Sequence, residues 1–395
     1  MVNLEQKLIK KHYEKIKSCN CSLLVYNLAG GGERVVNSLL KLFPNADIYT
    51  LFYDKVTCSN YLKGFNVYTS VIDNKFTRPF YQKLYPLYPI GIQSLKLKMD
   101  YDLIISSESG PAKGIQRKKE IPHLCYIHTP MRYCWGFMDD YLNSMNPWLR
   151  PIARLGFENL RKYDQTTIDN VNKYVANSEN VKRRVEKYYL RDASVIHPPI
   201  ELSLFQKSNL TTVNSTSREF YLSFGAITPY KNIGLLVDTF NENGKKLVII
   251  GEGSERRKMM ARAKCNIAFT GSLKWEEIRK YIMNSKALLF PGEEDFGMVP
   301  LEVMAHGVPV IALKKGGALE TVVEEFNSPS MSSGLFFEEP TVTSLKNAIV
   351  KFEKMQDEFS PDWIQSHART FGEDVFSEKM MKEVRNILNK NVKLD

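Results

Sequence analysis

Long apolar runs are missing from this chain. Nothing in its 395 residues approaches the roughly 18 consecutive apolar residues of a membrane-crossing helix, so no transmembrane span is expected. The opening segment, Asn3 to Ile16, is charged and amphipathic. It lacks the apolar core of a secretory signal, which makes the cytosol the expected compartment. Cysteine is scarce: Cys19, Cys21, Cys58, Cys125, Cys134 and Cys265 show no two-pair zinc spacing, and a chain this long does not need disulfides. No Asp-x-Asp stands at the end of an apolar run, where a metal would hold a diphosphate, so the expected chemistry uses neither metal nor cofactor. Helix-turn-helix and RNA-motif signatures are absent as well, which argues against nucleic acid as a partner.

What is present is an ordinary globular composition, 43% hydrophobic and 25% charged. The length exceeds what one core usually supports, so two domains are expected. Charge is uneven: residues 1–200 hold 29 Lys+Arg against 18 Asp+Glu, and residues 201–395 hold 25 against 26. A basic half meets an anionic partner, either a membrane surface or phosphorylated substrates, and a merely solvated basic face fits the same numbers.

Apolar strands alternate with helical stretches along the chain, the pattern of a doubly wound parallel sheet. Cys21–Tyr26, Ala46–Phe52, Tyr101–Ser106, a strand ending at His128, and Tyr174–Ser178 make a first set. Phe220–Gly225, Lys246–Gly253, Asn266–Leu273 and Ala287–Phe290 make a second. Between the sets, Pro198-Pro199 and the polar run Ser208–Arg218 read as the end of one domain and a linker. After the first strand, Gly30, Gly31 and Gly32 free the backbone for close approach to a ligand at a helix start. Residues 76–98 carry five aromatics, four cations and no acid. That mixture suits a membrane interface and equally a surface helix pair with a buried aromatic face.

The richest stretch runs from Phe290 to Val310. A buried strand ends at Phe290, a polar loop follows to Asp295, and a helix begins near Val299 with Pro300 in its first turn, where a missing N–H costs nothing. Glu294 to Gly297 is therefore a strand-to-helix junction with backbone N–H groups available to an anion. Glu294 and Glu302 can both reach that crevice, and carboxylates there suit sugar hydroxyls better than phosphates. Two solvated acids flanking a helix is the plainer reading.

Glu294-x7-Glu302 with Phe296-Gly297 and Pro300-Leu-Glu302 closely resembles the donor-binding motif of family four of the retaining glycosyltransferases. His128-Thr-Pro-Met-Arg-Tyr with Trp135 resembles a subgroup typified by O-antigen mannosyltransferases, and the likeness continues through Asn177-Ser178 and His197-Pro-Pro199. The resemblance implies an α/β GT-B fold: two Rossmann-like doubly wound domains facing across a cleft. It places an acceptor domain at 1–205, a nucleotide-sugar domain at 206–372, and a helix at 373–395 returning to the first.

The same likeness assigns catalytic roles to His128, Lys231 and Glu294. It gives the donor Gly31, Gly32, Lys231, Glu294, Phe296, Gly297, Met298, Val299, Glu302 and Lys315, and it makes Arg132, Tyr133 and Trp135 candidates for the acceptor. One departure stands out, since the family's Gly-Arg-x4-Lys has its Lys at Lys231 but Ala226 in place of Arg. Lys314 or Lys315 is the expected substitute. The implied reaction moves a hexose with retention, mannose from GDP-mannose, to a polyprenyl-diphosphate-linked glycan in O-antigen or other surface polysaccharide assembly. Such an enzyme is peripheral on the cytoplasmic face of the inner membrane, at an anionic surface. No residue announces a covalent nucleophile, so a same-face displacement is expected. A UDP- or dTDP-sugar donor, or a sugar-nucleotide epimerase on the same scaffold, is the alternative.

Overall fold

The computed structural model describes residues 18–25, 31–55, 62–98, 100–143, 145–205, 218–325 and 327–392. The amphipathic segment 3–16, Gly30 of the early loop and the polar run 208–217 lie outside them. The chain divides into two compact units, Met1–Pro199 with Asp374–Asp395, and Ile200–Glu373. The second unit takes up the chain at Ile200, earlier than the polar run suggests, because the Ile200 N–H donates to the Phe371 carbonyl at 2.9 Å.

In the first unit the strands are β1 (Ser18–Val25), β2 (Asp47–Tyr53), β3 (Val67–Thr69), β4 (Leu103–Glu108), β5 (His123–Ile127), β6 (Lys173–Ala176) and β7 (Ala193–Val195). All pair in parallel, in the order β3-β2-β1-β4-β5-β6-β7. A parallel sheet is covered on both faces, so its strands lose the polar alternation of a half-exposed one. The first six residues of β2 are accordingly all buried. The short edge strands β3 and β7 carry too few apolar residues to stand out in the sequence.

Helices α1 (Gly31–Leu42), α2 (Tyr88–Ser94), α3 (Met138–Asn143), α4 (Arg150–Thr166) and α5 (Glu179–Tyr189) complete this unit together with the C-terminal helix α13 (Glu373–Val392). Ser178 caps α5 by accepting the Val181 N–H at 3.1 Å, satisfying one donor the first turn leaves unpaired. Val35, Val36 and Leu39 of α1 pack with Ile48 and Leu103 of the sheet and with Phe376, Met380 and Val384.

The second unit holds β8 (Phe220–Phe224), β9 (Leu247–Ile250), β10 (Ile267–Gly271), β11 (Ser285–Phe290), β12 (Val310–Leu313) and β13 (Gly334–Phe337). These are again all parallel, in the order β10-β9-β8-β11-β12-β13. Its helices are α6 (Ile233–Asn243), α7 (Arg256–Arg262), α8 (Trp275–Asn284), α9 (Met298–Met304), α10 (Ala318–Thr321), α11 (Val342–Met355) and α12 (Pro361–Arg369), followed by α13 (Glu373–Val392).

Both sheets reverse strand order once, between β1 and β4 and between β8 and β11. At such a reversal the loops leaving the two strands diverge to opposite faces, which opens a crevice at the carboxyl ends of the strands. Each candidate constellation described next lies at one of these ends.

Candidate active site

In the second unit the crevice between β8 and β11 is a pocket lined by Gly225, Ala226, Lys231, Phe290, Gly292 and Glu294 among others. Glycines let its walls come together. A side chain at Gly251, whose φ is 142°, would run into the Gly225 carbonyl at 1.9 Å; one at Gly292 would meet the Tyr230 carbonyl at 2.8 Å. Gly317 sits so close to Phe296 that a Cβ would lie 2.2 Å from its Cα, and its N–H donates to the Glu294 carbonyl at 2.8 Å. The loop carrying Glu294 is thus held from both sides.

Lys231 Nζ donates to Glu294 Oε1, and both side chains are largely buried. Neither motif alone predicted that these two groups would meet. Ala226, at the position of the expected Arg, lines the same pocket. Lys315 precedes Gly316, whose left-handed backbone lies against the Glu294 carbonyl. Its ammonium is exposed and, among the described residues, pairs with no carboxylate; Lys314 instead bonds Glu338 at 2.8 Å.

Other expected donor residues divide by depth. Gly297 is left-handed at φ 86°, and α9 begins at Met298, so the Met298 and Val299 N–H groups belong to the first turn of this seven-residue helix. Glu302 is 3% exposed within α9, and its carbonyl accepts from His306 Nδ1 at 2.8 Å. Phe296 is buried in the core of the unit and packs on Phe371, so its side chain anchors the loop from behind.

In the first unit, His128 follows β5 and its Nε2 lies 2.8 Å from Ser107 Oγ at the end of β4. A Cβ on Gly32 would stand 3.6 Å from the same nitrogen, so the start of α1 and His128 are neighbours. Gly31 opens that helix. Arg132 lies over the Phe137 ring at 5.4 Å, and Arg184 over the same ring at 5.3 Å.

Tyr133 and Trp135, expected on the acceptor side, make packing contacts in the first unit. Tyr133 packs on Phe157 and Tyr85, its hydroxyl against the Met131 sulfur. Trp135 stacks on Tyr188 at 5.1 Å and donates through Nε1 to Asp164 at 2.8 Å. Both residues are half-buried, and these contacts hold the segment that begins at His128.

Asp164 belongs to a buried charge cluster that sequence reading missed. Lys113 bonds Asp164 and Glu108 with all three side chains out of solvent, and Tyr189 donates to Asp164 at 2.8 Å. Burial pushes Glu108 up to about 7 even though Lys113 opposes it. Burial lowers Lys113, but Asp164 and then Glu108 more than offset this, so it stays a strong cation. The cluster braces β4, whose Glu108 carbonyl accepts the His128 N–H at 2.8 Å. A signal did exist: Ala153, Phe157, Leu160 and Asp164 follow helical spacing, which places an acid on the buried face of α4.

Two parallel doubly wound units with a glycine-framed Lys/Glu pocket are the parts of a GT-B transferase. Residues 29–204 match the family model Glycosyltransferase Family 4 and residues 206–369 match Glycosyl transferases group 1. Among solved structures, sucrose-phosphate synthase from Thermosynechococcus elongatus covers 95% of this chain with all of its own, at 16% identity and TM-score 0.73. Anabaena HepE in complex with UDP covers 94% at 15% identity and TM-score 0.68, again over its whole length.

Among curated proteins, alpha-1,3/1,6-mannosyltransferase ALG2 of Saccharomyces cerevisiae is 27% identical over 79% of this chain and 73% of its own. An uncharacterized glycosyltransferase of Methanocaldococcus jannaschii is 25% identical over 92% and 95%. The chain belongs to glycosyltransferase family four. It is a glycosyltransferase of GT-B fold.

Proposed function

We propose that this enzyme transfers mannose from GDP-mannose, with retention, to a polyprenyl-diphosphate-linked glycan, as a peripheral protein on the cytoplasmic face of an anionic membrane. Assembly of O-antigen or a related surface polysaccharide is the process such an acceptor serves. The observation that carries the reading is the Lys231–Glu294 pair in the β8/β11 pocket. Its cation suits a diphosphate and its carboxylate suits sugar hydroxyls. The mannosyltransferase relatives support the choice of sugar.

In the proposed step the acceptor hydroxyl oxygen bonds to the anomeric carbon on the face from which the diphosphate departs. The bond from that carbon to the phosphate oxygen breaks, its electron pair goes to the phosphate, and the same phosphate oxygen takes the hydroxyl proton. No residue becomes covalently attached. Lys231, the Met298 and Val299 amides and Lys315 stabilise the leaving diphosphate, Glu294 holds the sugar, and Glu302 holds the ribose. His128 is assigned to the donor sugar, with Gly31 and Gly32 giving the backbone room beside it. Arg132, together with Arg184, is assigned to the acceptor.

Preorganised donors at a developing charge are worth about 10²–10³ in rate each, so this set can carry the reaction without a metal. Release of nucleoside diphosphate from a panel of sugar nucleotides, with and without a polyprenyl-diphosphate acceptor, tests the proposal. Acceptor-dependent GDP release supports it, and preference for a UDP- or dTDP-sugar corrects the donor. Sugar epimerisation without transfer would replace it with the alternative activity.

The membrane side draws on residues 76–98, whose side chains divide between core and surface. Tyr88 is buried in the core beneath the sheet, while Phe76, Phe80 and Ile90 are exposed. Arg78 is bonded to Asp73 at 2.6 Å, so Lys96 and Lys98, both outside the core, are better probes of lipid attraction.

A further inference from the structure

Helix α4 buries one face and leaves the other bare. Ala153, Phe157, Leu160 and Asp164 point into the unit. On the outside stand Ile152 at 72% and Leu155 at 60%, preceded in the 3-10 turn Pro147–Leu149 by Trp148, 89% exposed, and Leu149 at 57%. Single exposed apolar residues are ordinary, but four within eight positions, led by a nearly bare tryptophan, form a patch that marks an interaction surface. Tyr85, from the aromatic segment 76–98, packs on Phe157 of α4 at 4.9 Å between ring centroids. Segment 76–98 therefore packs against the buried face of α4 within the same unit.

Charge decides what covers the patch. Residues 71–98 contain five Lys/Arg and one acid, Asp73, which is tied to Arg78. Residues 147–162 contain four Lys/Arg and one acid, Glu158. Arg154 is partly neutralised by Asp139 at 3.0 Å, whereas Lys162 is exposed beside the apolar strip. A second copy of the chain docking here would bring two cationic rims together. An anionic bilayer meets the rim with opposite charge and takes the apolar side chains into its interface, where a Trp ring sits at headgroup level.

We propose that the outer face of Trp148 to Leu155 is the principal membrane-docking surface of this enzyme, with segment 76–98 as its flank. The inference deepens the proposed function, since it takes from that reading the idea that the acceptor lies in a membrane. It places the insertion on α4, a helix that sequence reading did not single out.

The test is sedimentation of the full chain with vesicles of phosphatidylcholine alone and of phosphatidylcholine with phosphatidylglycerol in equal parts. The triple variant Trp148→Ser, Ile152→Asn, Leu155→Asn alters only exposed positions; Met331→Asn with Val350→Asn in the second unit is the control. Wild type and control should bind the anionic vesicles and release them as salt rises. The triple variant should bind at least about tenfold more weakly, from the apolar area it no longer buries. Its turnover with a water-soluble acceptor should be unchanged.

Equal vesicle binding by wild type and triple variant overturns the proposal. So does a wild-type dimer in light scattering that the variant converts to monomer while vesicle binding stays the same. Vesicle binding that needs Trp148 in a protein showing no sugar transfer leaves the surface standing and removes the proposed activity; transfer with unaltered vesicle binding does the reverse.

Discussion

Lys231 and Glu294 form an ion pair in the β8/β11 pocket, although 63 positions separate them. Each holds the other in place before any ligand enters, so a nucleotide sugar that binds there exchanges one anion for another at Lys231. Lys231→Ala should lower kcat/KM by about 10²–10³, the loss typical of one preorganised donor at a developing charge. Glu294→Gln should lower kcat more than it raises the donor KM. Because the groups touch, the double variant should lose less than the product of the two single losses. Steady-state kinetics of all four proteins measure this, and additive losses would contradict shared work by the pair.

Gly317 closes the loop that carries Glu294. A Cβ would stand 2.2 Å from the Phe296 Cα, so Gly317→Ala must displace that loop. Gly244 ends α6 at φ 69° with nothing within 4 Å of the place a methyl would take, so Gly244→Ala meets only the left-handed backbone cost, about 1–2 kcal/mol. Donor affinity by calorimetry should fall sharply for the first and hold for the second. Equal affinities would show that the loop does not shape the site.

Ala226 lines the pocket where the family places an Arg, and Lys315 flanks the loop beside it. Lys315→Ala should slow turnover, and Ala226→Arg added to that variant should recover part of the loss. A Lys315→Ala enzyme with wild-type turnover would leave the diphosphate to Lys231 and the backbone amides.

Much of this architecture was legible in the sequence, because buried parallel strands such as Ala287–Phe290 are unbroken apolar runs and the junction after them carries Gly297 and Pro300 at telling positions. The short strands β3 and β7 were not legible, having too few residues to show a pattern. At the site, the motif gave Glu294 and Lys231 separately, but their pairing depends on how two loops pack. Tyr133 and Trp135 look like exposed ligands in a string of letters; their packing against Phe157 and Tyr188 emerges only in three dimensions. Asp164 was hidden for a similar reason, since its partner Lys113 is 51 residues away.

Glu108 makes stability depend on pH. Burial raises its pKa from the ordinary 4.5 to about 7, so between those values the folded chain holds a proton that the unfolded chain has lost. Stability from this group is complete below 4.5 and is lost as pH rises through 7. Glu108→Gln keeps the shape without the charge. The wild-type melting temperature should therefore fall relative to that of the variant between about pH 5 and about pH 8. Parallel melting curves across that range would mean that Glu108 does not titrate there.

The most direct test is acceptor-dependent nucleoside diphosphate release, measured with GDP-mannose, UDP-glucose and a dTDP-sugar, with and without EDTA. GDP should be released from GDP-mannose only when a polyprenyl-diphosphate-linked glycan is present, at a rate EDTA leaves intact and Lys231→Ala reduces. Release without acceptor, loss of activity restored by manganese or magnesium, or full turnover by Lys231→Ala would contradict the account of this site.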